Sequence, residues 1–336
     1  MAVVKSAPED CFAERRGYDR GKAEMVPKMV CVTSGTSYVG LCIVMHLLRR
    51  GYAVRVAVDN GDELQKLREM EEFATWSDRA VGVVTNILAE DAAALSEVFE
   101  GCYGVFHTSS FIDPHGLSGF TEQMVRLEVE GAEKVVEACS LTCSVRRLVF
   151  TSSLGACIWQ NQETGSAFVV DEKCWSDPLV CRENKLWFAL SKTIAEKTAW
   201  TRAEQRDVNM VTLCPALLTG RAFSSSNSTS SIAYLKGANK MLEKGVLATV
   251  DVRRAAEAHV CVYEAMGLGA SGRYVCFDKI INNPTEALDL ENSTNMKIGF
   301  SQLFDNNNEK GGVEGVSNAK LARLTALTLH AHSCRE

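Results

Sequence analysis

The sequence predicts an α/β protein, with a doubly wound parallel sheet and a smaller C-terminal substrate lobe. Short apolar runs rich in β-branched residues alternate with stretches of helical periodicity, as in repeated βαβ units. A turn of small residues joins the first apolar run to the first helical stretch. The length of 336 residues suits one large or two modest domains, and 46% hydrophobic with 23% charged residues is typical of globular proteins.

The alternation predicts six buried strands, at residues 29–33, 53–58, 81–84, 104–107, 147–151 and 210–213. Helices are predicted between and after them, at residues 39–50, 62–73, 92–99, 122–140 and 185–203. Further along we expect a loop over 224–231 and helices near 232–242 and 254–266. Residues 282–315 are rich in Asn, Glu and Gly and have the least regular pattern.

These patterns predict three parts of the chain. Residues 1–27 lack an apolar period and are expected to form a flexible leader. Residues 28–215 form the predicted nucleotide-binding domain, and residues 216–336 contain mainly the substrate lobe and a mobile tail. Some segments after residue 240 are expected to return to the first domain.

Charge and composition exclude several classes of partner. The net charge is −6 and the isoelectric point is about 5.7, so the chain offers no broad basic surface for nucleic acid. No apolar run approaches the roughly 20 residues of a membrane span, and charged residues near the N-terminus argue against a secretory signal. We therefore expect a cytoplasmic protein that binds neither nucleic acid nor membranes.

The 13 cysteines form no CxxC pair, and without a secretory context we expect reduced thiols that pack mostly as small hydrophobic residues. The C-terminal His330, His332 and Cys334 match no recognised ligand spacing, so no metal site is predicted. His107 and His259 are interpreted as packing residues.

The turn after the first strand is the first candidate binding site. A dinucleotide fingerprint places Gly at three positions that are here Ser34, Ser37 and Gly40. At a strand-to-helix turn, backbone N–H groups and the helix dipole hold a pyrophosphate. The candidate contacts are Thr33, Ser34, Gly35, Ser37, Tyr38, Val39 and Gly40. The alternative is a small-residue turn with a purely structural role, and the serines predict weaker binding than glycines would give.

Asp59 ends the second predicted strand, close to the spacing of about 20 residues after the turn that the fingerprint requires. A carboxylate there accepts hydrogen bonds from a free ribose 2′-hydroxyl and repels a 2′-phosphate. Asp59 therefore favours NADH over NADPH. The alternative is that Asp59 only begins a turn with Asn60 and Gly61.

Several separate motifs carry a family resemblance. The sequence Val-Phe-Thr-Ser-Ser ends a strand at residues 149–153, and Leu-Trp-Phe-Ala-Leu-Ser-Lys occupies residues 186–192 of a helix. Further motifs lie at residues 101–109, 129–131, 215–220, 250–253, 258–259 and 272–274. Over residues 29–280 the chain resembles the extended short-chain dehydrogenase/reductase superfamily, and within it the plant cinnamoyl-CoA reductase and dihydroflavonol reductase group.

Residues 171–177 are similar to a cinnamoyl-CoA reductase-like subgroup linked with phenylpropanoid metabolism, lignin and plant defence. The resemblance implies a Rossmann-type fold, NADPH as cofactor, and a catalytic Ser, Tyr and Lys. Ser153 and Lys192 match the Ser and the Lys, and the Tyr position is Phe188. It also implies cofactor contacts at Asn86, Thr108, Lys192 and Pro215. Asn86, Asp59 and Glu130 each differ from the residue usual in the family.

Phe188 has no O–H group, so it cannot act as an acid or a base. Loss of a general acid lowers a rate by about 10²–10⁴. One hypothesis is a nicotinamide-dependent reductase of a phenylpropanoid CoA ester or aldehyde, in which Ser153 and a water near Lys192 supply the hydrogen bond. The other is a non-catalytic dinucleotide-binding scaffold or redox sensor. Either is expected to be a monomer or a homodimer.

Overall fold

The computed structural model describes residues 27–110, 121–161, 168–220, 233–294 and 313–333. Within these ranges the strands are β1 (Met29–Val32), β2 (Ala53–Val58), β3 (Ala80–Val84), β4 (Gly104–His107), β5 (Arg147–Thr151), β6 (Phe168–Val170), β7 (Met210–Pro215), β8 (Leu217–Thr219), β9 (Ala248–Asp251), β10 (Gly272–Cys276), β11 (Lys279–Ile280) and β12 (Val313–Val316). The helices are α1 (Tyr38–Arg49), α2 (Gly61–Glu69), α3 (Glu71–Ala74), α4 (Ala92–Phe99), α5 (Gln123–Leu141), α6 (Pro178–Glu183), α7 (Trp187–Gln205), α8 (Ala238–Glu243), α9 (Val252–Ala265), α10 (Pro284–Thr294) and α11 (Ala319–Ser333).

Seven strands form one parallel sheet in the order β10-β7-β5-β4-β1-β2-β3. The chain runs outward from β1 in one direction through β2 and β3, and in the other through β4 and β5, so the strand order reverses between β1 and β4. In open parallel sheets, ligands bind beyond the carboxyl ends of the strands at such a reversal. A three-stranded sheet of β8, β9 and β11 and a parallel pair of β6 and β12 lie outside this main sheet.

Apolar helix faces cover both sides of the main sheet. Helices α4, α5 and α7 contribute to one buried cluster, and α1 and α9 contribute to the other. In α1 and in the middle strands almost every side chain is buried, which explains their continuous apolar runs. The predicted doubly wound α/β class is thereby confirmed.

Differences from the sequence prediction have local causes. Strand β3 is at the edge of the sheet, so its prediction as a buried strand is wrong: Val81 and Val84 are 47% and 46% exposed. The single helix predicted over 62–73 is two helices, because the backbone of Met70 is extended. Helix α7 begins two residues later than expected, after Lys185 takes a left-handed φ of 54°.

Other sequence predictions fall partly outside the described residues. The leader, the loop over 224–231 and most of residues 282–315 lie there, as does Cys334. The division into two domains stays a prediction. The structure places β10 beside β7 in the main sheet and α9 against α1.

In the described ranges no helix is long and apolar enough to cross a bilayer. The same residues contain no cluster of three side chains suited to holding a metal ion. Ten of the cysteines described are free, and nine of these are buried, as expected for small core residues. Cys143 departs from the expectation of reduced thiols, because it is disulfide-bonded.

A buried ion pair joins the last strand of the main sheet to α7. Arg273 on β10 donates from Nε and a terminal nitrogen to the two oxygens of Glu196, at 2.7 and 3.1 Å. The Oγ of Ser152, just after β5, donates to the same carboxylate at 2.7 Å. The pair therefore fixes α7 relative to the end of β5.

The rest of the Arg273 guanidinium holds the segment before α6. Its other terminal nitrogen donates to the carbonyl oxygens of Glu172 and Cys174 at 3.1 and 2.5 Å. The ring of Trp175 lies against it, with 3.6 Å between the guanidinium carbon and the ring centroid. Arg273 thus contacts residues 172–175, which lie within the motif at residues 171–177.

Arg273→Ala is expected to destabilise the fold by about 3–5 kcal/mol, because it leaves the Glu196 carboxylate buried without its counter-ion. The matched control is Arg202→Ala, which removes an exposed pair with Glu133 and should change stability by about 0–1 kcal/mol. Urea unfolding of both variants measures the difference. Equal losses of unfolding free energy in the two variants would show that the buried pair of Arg273 is no more costly to break than an exposed pair.

Two buried histidines are neutral parts of the core. His259 donates from Nδ1 to the carbonyl of Ala255 at 2.7 Å, and its Nε2 accepts from the hydroxyl of Thr151 at 2.9 Å. Burial lowers the pKa of His259 to about 4. Burial, with a smaller contribution from Lys192, lowers the pKa of His107 to about 3. Both observations agree with their interpretation as packing residues.

We expect the free energy of unfolding to fall below about pH 6.5, the ordinary histidine pKa. As the pH falls, the histidines of the unfolded chain bind protons before those of the folded chain do. The stabilisation that comes from neutral histidines in the folded chain is therefore complete above that pH and is lost as the pH falls towards 4. At pH 5 each histidine should lower the free energy of unfolding by about 2 kcal/mol. Urea unfolding at pH 7 and pH 5 measures this, and His259→Gln should reduce the difference. An unchanged difference in that variant would contradict the assignment.

Candidate functional site

The turn between β1 and α1 needs glycine at two positions. A Cβ on Gly35 would lie 2.4 Å from the Cγ1 of Val56, on the neighbouring strand. A Cβ on Gly40 would lie 2.5 Å from the carbonyl oxygen of Ser34. These close approaches bring the start of α1 against the ends of the strands, as the fingerprint glycines do in dinucleotide-binding turns.

The two serines of the turn have different roles. Ser37 is the N-cap of α1, and its Oγ accepts from the backbone N–H of Gly40 at 3.1 Å. The first four N–H groups of a helix lack partners within the helix, so those of Tyr38 and Val39 are suited to holding an anion. Ser34 has a left-handed φ of 44°, which glycine adopts at less cost. Its Oγ is hydrogen-bonded to that of Ser109 at 2.8 Å.

A hydrogen-bonded network joins this turn to the end of β4. The Oγ1 of Thr33 is 3.1 Å from His107 Nδ1 and accepts from the backbone N–H of Thr108 at 3.2 Å. The hydroxyl of Thr108 donates to the carbonyl of Thr33 at 2.5 Å. Thr33 and Thr108 therefore hold the two sides of the crevice together at the point where the strand order reverses.

Asp59 lies beyond the end of β2, beside a second carboxylate that sequence reasoning missed. Glu63, in the first turn of α2, accepts at one oxygen from the hydroxyl of Thr36 at 2.8 Å and from the backbone N–H of Asp59 at 3.3 Å. Burial raises the pKa of Asp59, and repulsion from Glu63 adds to the rise. The only sequence signal for Glu63 was its place four residues after Asp59.

Asn86 follows β3 and is exposed. Its side-chain oxygen accepts from the backbone N–H groups of Leu88 and Ala89, at 3.0 and 3.1 Å. This is the geometry of an Asx turn, which stabilises the backbone locally. Its predicted contact with the cofactor stays a prediction.

An open cavity of about 70 Å³ lies beyond the carboxyl ends of β4, β5 and β7. It brings together six residues that the sequence singled out: Val39, Thr108, Ser153, Phe188, Lys192 and Pro215. Of the predicted turn residues, only Val39 borders the cavity, and the others precede or follow it in the turn. Tyr234 also borders the cavity and was not singled out by the sequence.

Ser153 caps a short 3₁₀ turn, Leu154–Ala156, which follows β5. Its Oγ accepts from the backbone N–H of Gly155 at 3.0 Å, and this leaves its proton available for donation. Phe188 and Lys192 are one turn apart on α7, with 5.9 Å between Lys192 Nζ and the ring centroid of Phe188. Serine, lysine and the substituted Tyr position thus share one cavity.

A buried carboxylate neutralises the lysine. Lys192 Nζ lies 3.1 Å from Glu128 Oε2, and both side chains are almost fully buried. The other oxygen of Glu128 accepts from the hydroxyl of Ser110 at 3.0 Å. Sequence analysis named only Glu130, as a departure from the residue usual in the family, and Glu130 pairs with Lys134 nearer the surface. Only the packing of α5 on α7 shows that Glu128 is the residue opposite Lys192.

Glu128→Gln is expected to lower stability by about 3–5 kcal/mol, because it leaves the buried charge of Lys192 without its carboxylate, and Lys192→Met removes the same ion pair from the other side. The double variant removes both charges and should be less destabilised than the sum of the single variants. Urea unfolding of the three variants gives the coupling free energy. The control is the partly exposed pair Glu130 and Lys134, for which we expect about 0.3–0.5 kcal/mol. Simple additivity at Glu128 and Lys192 would contradict a direct interaction.

The parallel sheet, the turn at its reversal point and the adjoining cavity with a serine and a lysine define a class: nucleotide-binding reductases of the short-chain type. A family model described as "3-beta hydroxysteroid dehydrogenase/isomerase family" matches residues 31–266. The chain belongs to that family. The expected membership of the extended short-chain dehydrogenase/reductase superfamily is confirmed.

Named relatives agree with the narrower resemblance. Cinnamoyl-CoA reductase 1 of Arabidopsis thaliana is 38% identical over 253 residues, which cover 74% of this chain and 70% of the relative. Cinnamoyl-CoA reductase 1 of Petunia hybrida is 36% identical over 260 residues, covering 76% and 74%. The chain is thus of the cinnamoyl-CoA reductase type, a group of nicotinamide-dependent reductases.

A solved structure supports the fold. The yeast methylglyoxal/isovaleraldehyde reductase complexed with NADPH superposes with a TM-score of 0.67, at 20% identity, over 89% of this chain and 93% of that one.

Proposed function

We propose that the protein is a nicotinamide-dependent reductase that transfers hydride to a phenylpropanoid CoA thioester, aldehyde or related carbonyl. The observation that carries the proposal is one cavity bordered by Ser153, Lys192 and Val39, which lies in the first turn of α1. The identity of 36–38% with two cinnamoyl-CoA reductases supports the substrate class. The same proposal places the protein in the cytoplasm, as a monomer or homodimer with a role in phenylpropanoid metabolism, lignin and plant defence.

The residues present fit a nicotinamide dinucleotide. Gly35 and Gly40 allow the close packing of the turn that a Cβ would prevent, and the N–H groups of Tyr38 and Val39 are suited to the pyrophosphate. Lys192 reaches the cavity and would hold the nicotinamide ribose. When bound, the reduced nicotinamide supplies the hydride.

The preferred cofactor is part of the proposal. The family resemblance favours NADPH, whereas Asp59 and Glu63 are neighbouring carboxylates beyond the end of β2, where the fingerprint leads us to expect the adenine ribose. These carboxylates would repel a 2′-phosphate, because like charges repel. A carboxylate instead accepts hydrogen bonds from a free 2′-hydroxyl. The local chemistry therefore favours NADH, and a comparison of the two dissociation constants measures the preference.

Phe188 changes the expected chemistry without removing the site. Hydride addition to a thioester carbonyl gives an oxyanion that collapses by expelling thiolate, so the oxygen does not need to retain a proton. Hydrogen-bond donors near the oxygen stabilise this state, and Ser153 has a proton free to donate. Thioester reduction is therefore expected to tolerate Phe188 better than aldehyde reduction does.

A second candidate function is binding without turnover, as a scaffold or redox sensor. Two observations favour it: Phe188 supplies no phenol, and the charge of Lys192 is already neutralised by Glu128. A paired lysine lowers the pKa of a neighbouring acid less than a free one does. Turnover separates the two candidates, since both predict binding of the cofactor.

Phe188→Tyr is expected to raise the rate of aldehyde reduction by at most about 10²–10⁴, the usual contribution of a general acid, and by less where another hydroxyl of the cavity already donates a proton. The effect on feruloyl-CoA should be smaller. The measurement is loss of reduced nicotinamide, with NADH and NADPH, for the native chain and for Phe188→Tyr. Phe188→Leu is the control, because it alters the ring without adding a hydroxyl. A native chain and a Phe188→Tyr variant that both bind cofactor but turn over neither substrate would favour the binding function.

A further inference from the structure

Six residues with hydroxyl side chains border the cavity, and most of these hydroxyls already donate hydrogen bonds within the protein. They belong to Thr108, Ser110, Thr151, Ser152, Ser153 and Tyr234. Thr108 donates to the carbonyl of Thr33, Ser110 to Glu128 and Ser152 to Glu196.

The hydroxyl of Thr151 also donates a hydrogen bond within the protein. The Nδ1 of His259 faces the carbonyl oxygen of Ala255, so this nitrogen must carry the ring proton. The pKa of His259 is lowered to about 4 by burial, so the ring is neutral near pH 7 and its Nε2 accepts. The hydroxyl of Thr151 is therefore the donor to Nε2. The hydroxyls of Ser153 and Tyr234 are the two that remain.

Tyr234 is unusual among these groups. Its side chain is only 6% exposed, and its hydroxyl has no hydrogen-bond partner among the described residues. A buried hydroxyl without a partner costs about 1–3 kcal/mol, and tyrosine hydroxyls usually find a partner when buried. Such a group is expected where a ligand supplies the acceptor.

The ring of Tyr234 packs against the substituted catalytic position. Its centroid is 6.3 Å from that of Phe188, and the two rings meet edge to face at 70°. Both rings border the cavity and also line a smaller pocket behind it, together with Gly155 and Trp159. Tyr234 thus borders the same cavity as Phe188, Ser153 and Lys192, and its ring contacts that of Phe188.

We propose that Tyr234 is a catalytic residue whose hydroxyl, together with that of Ser153, donates hydrogen bonds to the carbonyl oxygen of the substrate. The inference rests on the proposed reductase function and identifies a group that sequence motifs did not. Two donors converging on one oxygen form an oxyanion site. The phenol stays protonated near neutral pH, because burial raises the pKa of Tyr234.

The step balances for both substrate classes. In a thioester, a C–H bond forms as the carbonyl carbon gains hydride and is reduced by two electrons, while the nicotinamide is oxidised. The C–S bond then breaks, and the thiolate takes a proton from water. Tyr234 keeps its proton throughout this reaction. In an aldehyde, the oxygen takes the phenol proton and becomes an alcohol, and solvent reprotonates Tyr234.

The test is Tyr234→Phe, which removes one oxygen atom. We expect kcat for feruloyl-CoA to fall by about 10²–10³, the usual effect of removing one oxyanion donor, with little change in KM. The melting temperature should not fall, since the hydroxyl has no partner to lose. The matched control is Tyr263→Phe, because the Tyr263 hydroxyl is also buried without a partner among the described residues but does not border the cavity. Its kcat should equal that of the native chain.

A binding measurement tests the proposal without turnover. Cinnamate carries a charged carboxylate oxygen where the oxyanion would form, so its affinity for the chain saturated with oxidised cofactor reports on the donors. We expect about tenfold weaker binding in Tyr234→Phe, as for loss of a hydrogen bond to a charged group, and no change in Tyr263→Phe. Equal affinity in the native chain and Tyr234→Phe, or no binding to the native chain, overturns the proposal.

The two failures are distinguishable. A native chain that reduces no carbonyl substrate contradicts the reductase function, and the cinnamate affinities then decide the role of Tyr234 by themselves. A native chain that turns over feruloyl-CoA, with kcat unchanged in Tyr234→Phe, contradicts the role of Tyr234 alone. Restoration of aldehyde reduction by Phe188→Tyr in the Tyr234→Phe background supports a shared function of the two positions.

Discussion

The geometry of the site depends on one buried charge pair, that of Arg273 and Glu196. It joins β10 to α7, and the Glu196 carboxylate also holds Ser152 at the end of β5. Helix α7 carries Phe188 and Lys192, and Ser153 follows Ser152 directly. Because a buried pair is costly to break, this contact helps to keep the serine and the lysine at the border of the same cavity.

A second buried pair sets the electrostatics of the cavity. Glu128 neutralises Lys192 from α5, and Ser110 holds the other oxygen of that carboxylate. Because its charge is paired with Glu128, Lys192 is better suited to binding and orienting a ligand than to lowering the pKa of a neighbouring acid. The phenylalanine at position 188 is consistent with this arrangement, because a paired lysine would lower the pKa of a phenol at that position only slightly. Hydroxyl donors then become the groups that decide whether the cavity has catalytic power.

The sheet was predictable because its central strands are buried on both faces, which produces continuous apolar runs. Three strands match their predicted bounds: β2, β4 and β5. Strand β3 was wrongly predicted to be buried, because an edge strand such as β3 has an apolar run similar to that of a central strand. The break at Met70 was missed for a similar reason, since an extended residue between two short helices leaves the apolar spacing nearly intact.

The sequence by itself determined the family, the nucleotide-binding turn and the loss of a hydroxyl at Phe188, because each is a matter of residue type at a fixed local spacing. Only the tertiary structure decided that Glu128 faces Lys192, that Glu63 lies beside Asp59 and that Tyr234 borders the cavity. The first and last of these depend on how helices and loops from distant parts of the chain pack around the sheet. The second depends on the angle at which α2 leaves β2, which local spacing does not fix.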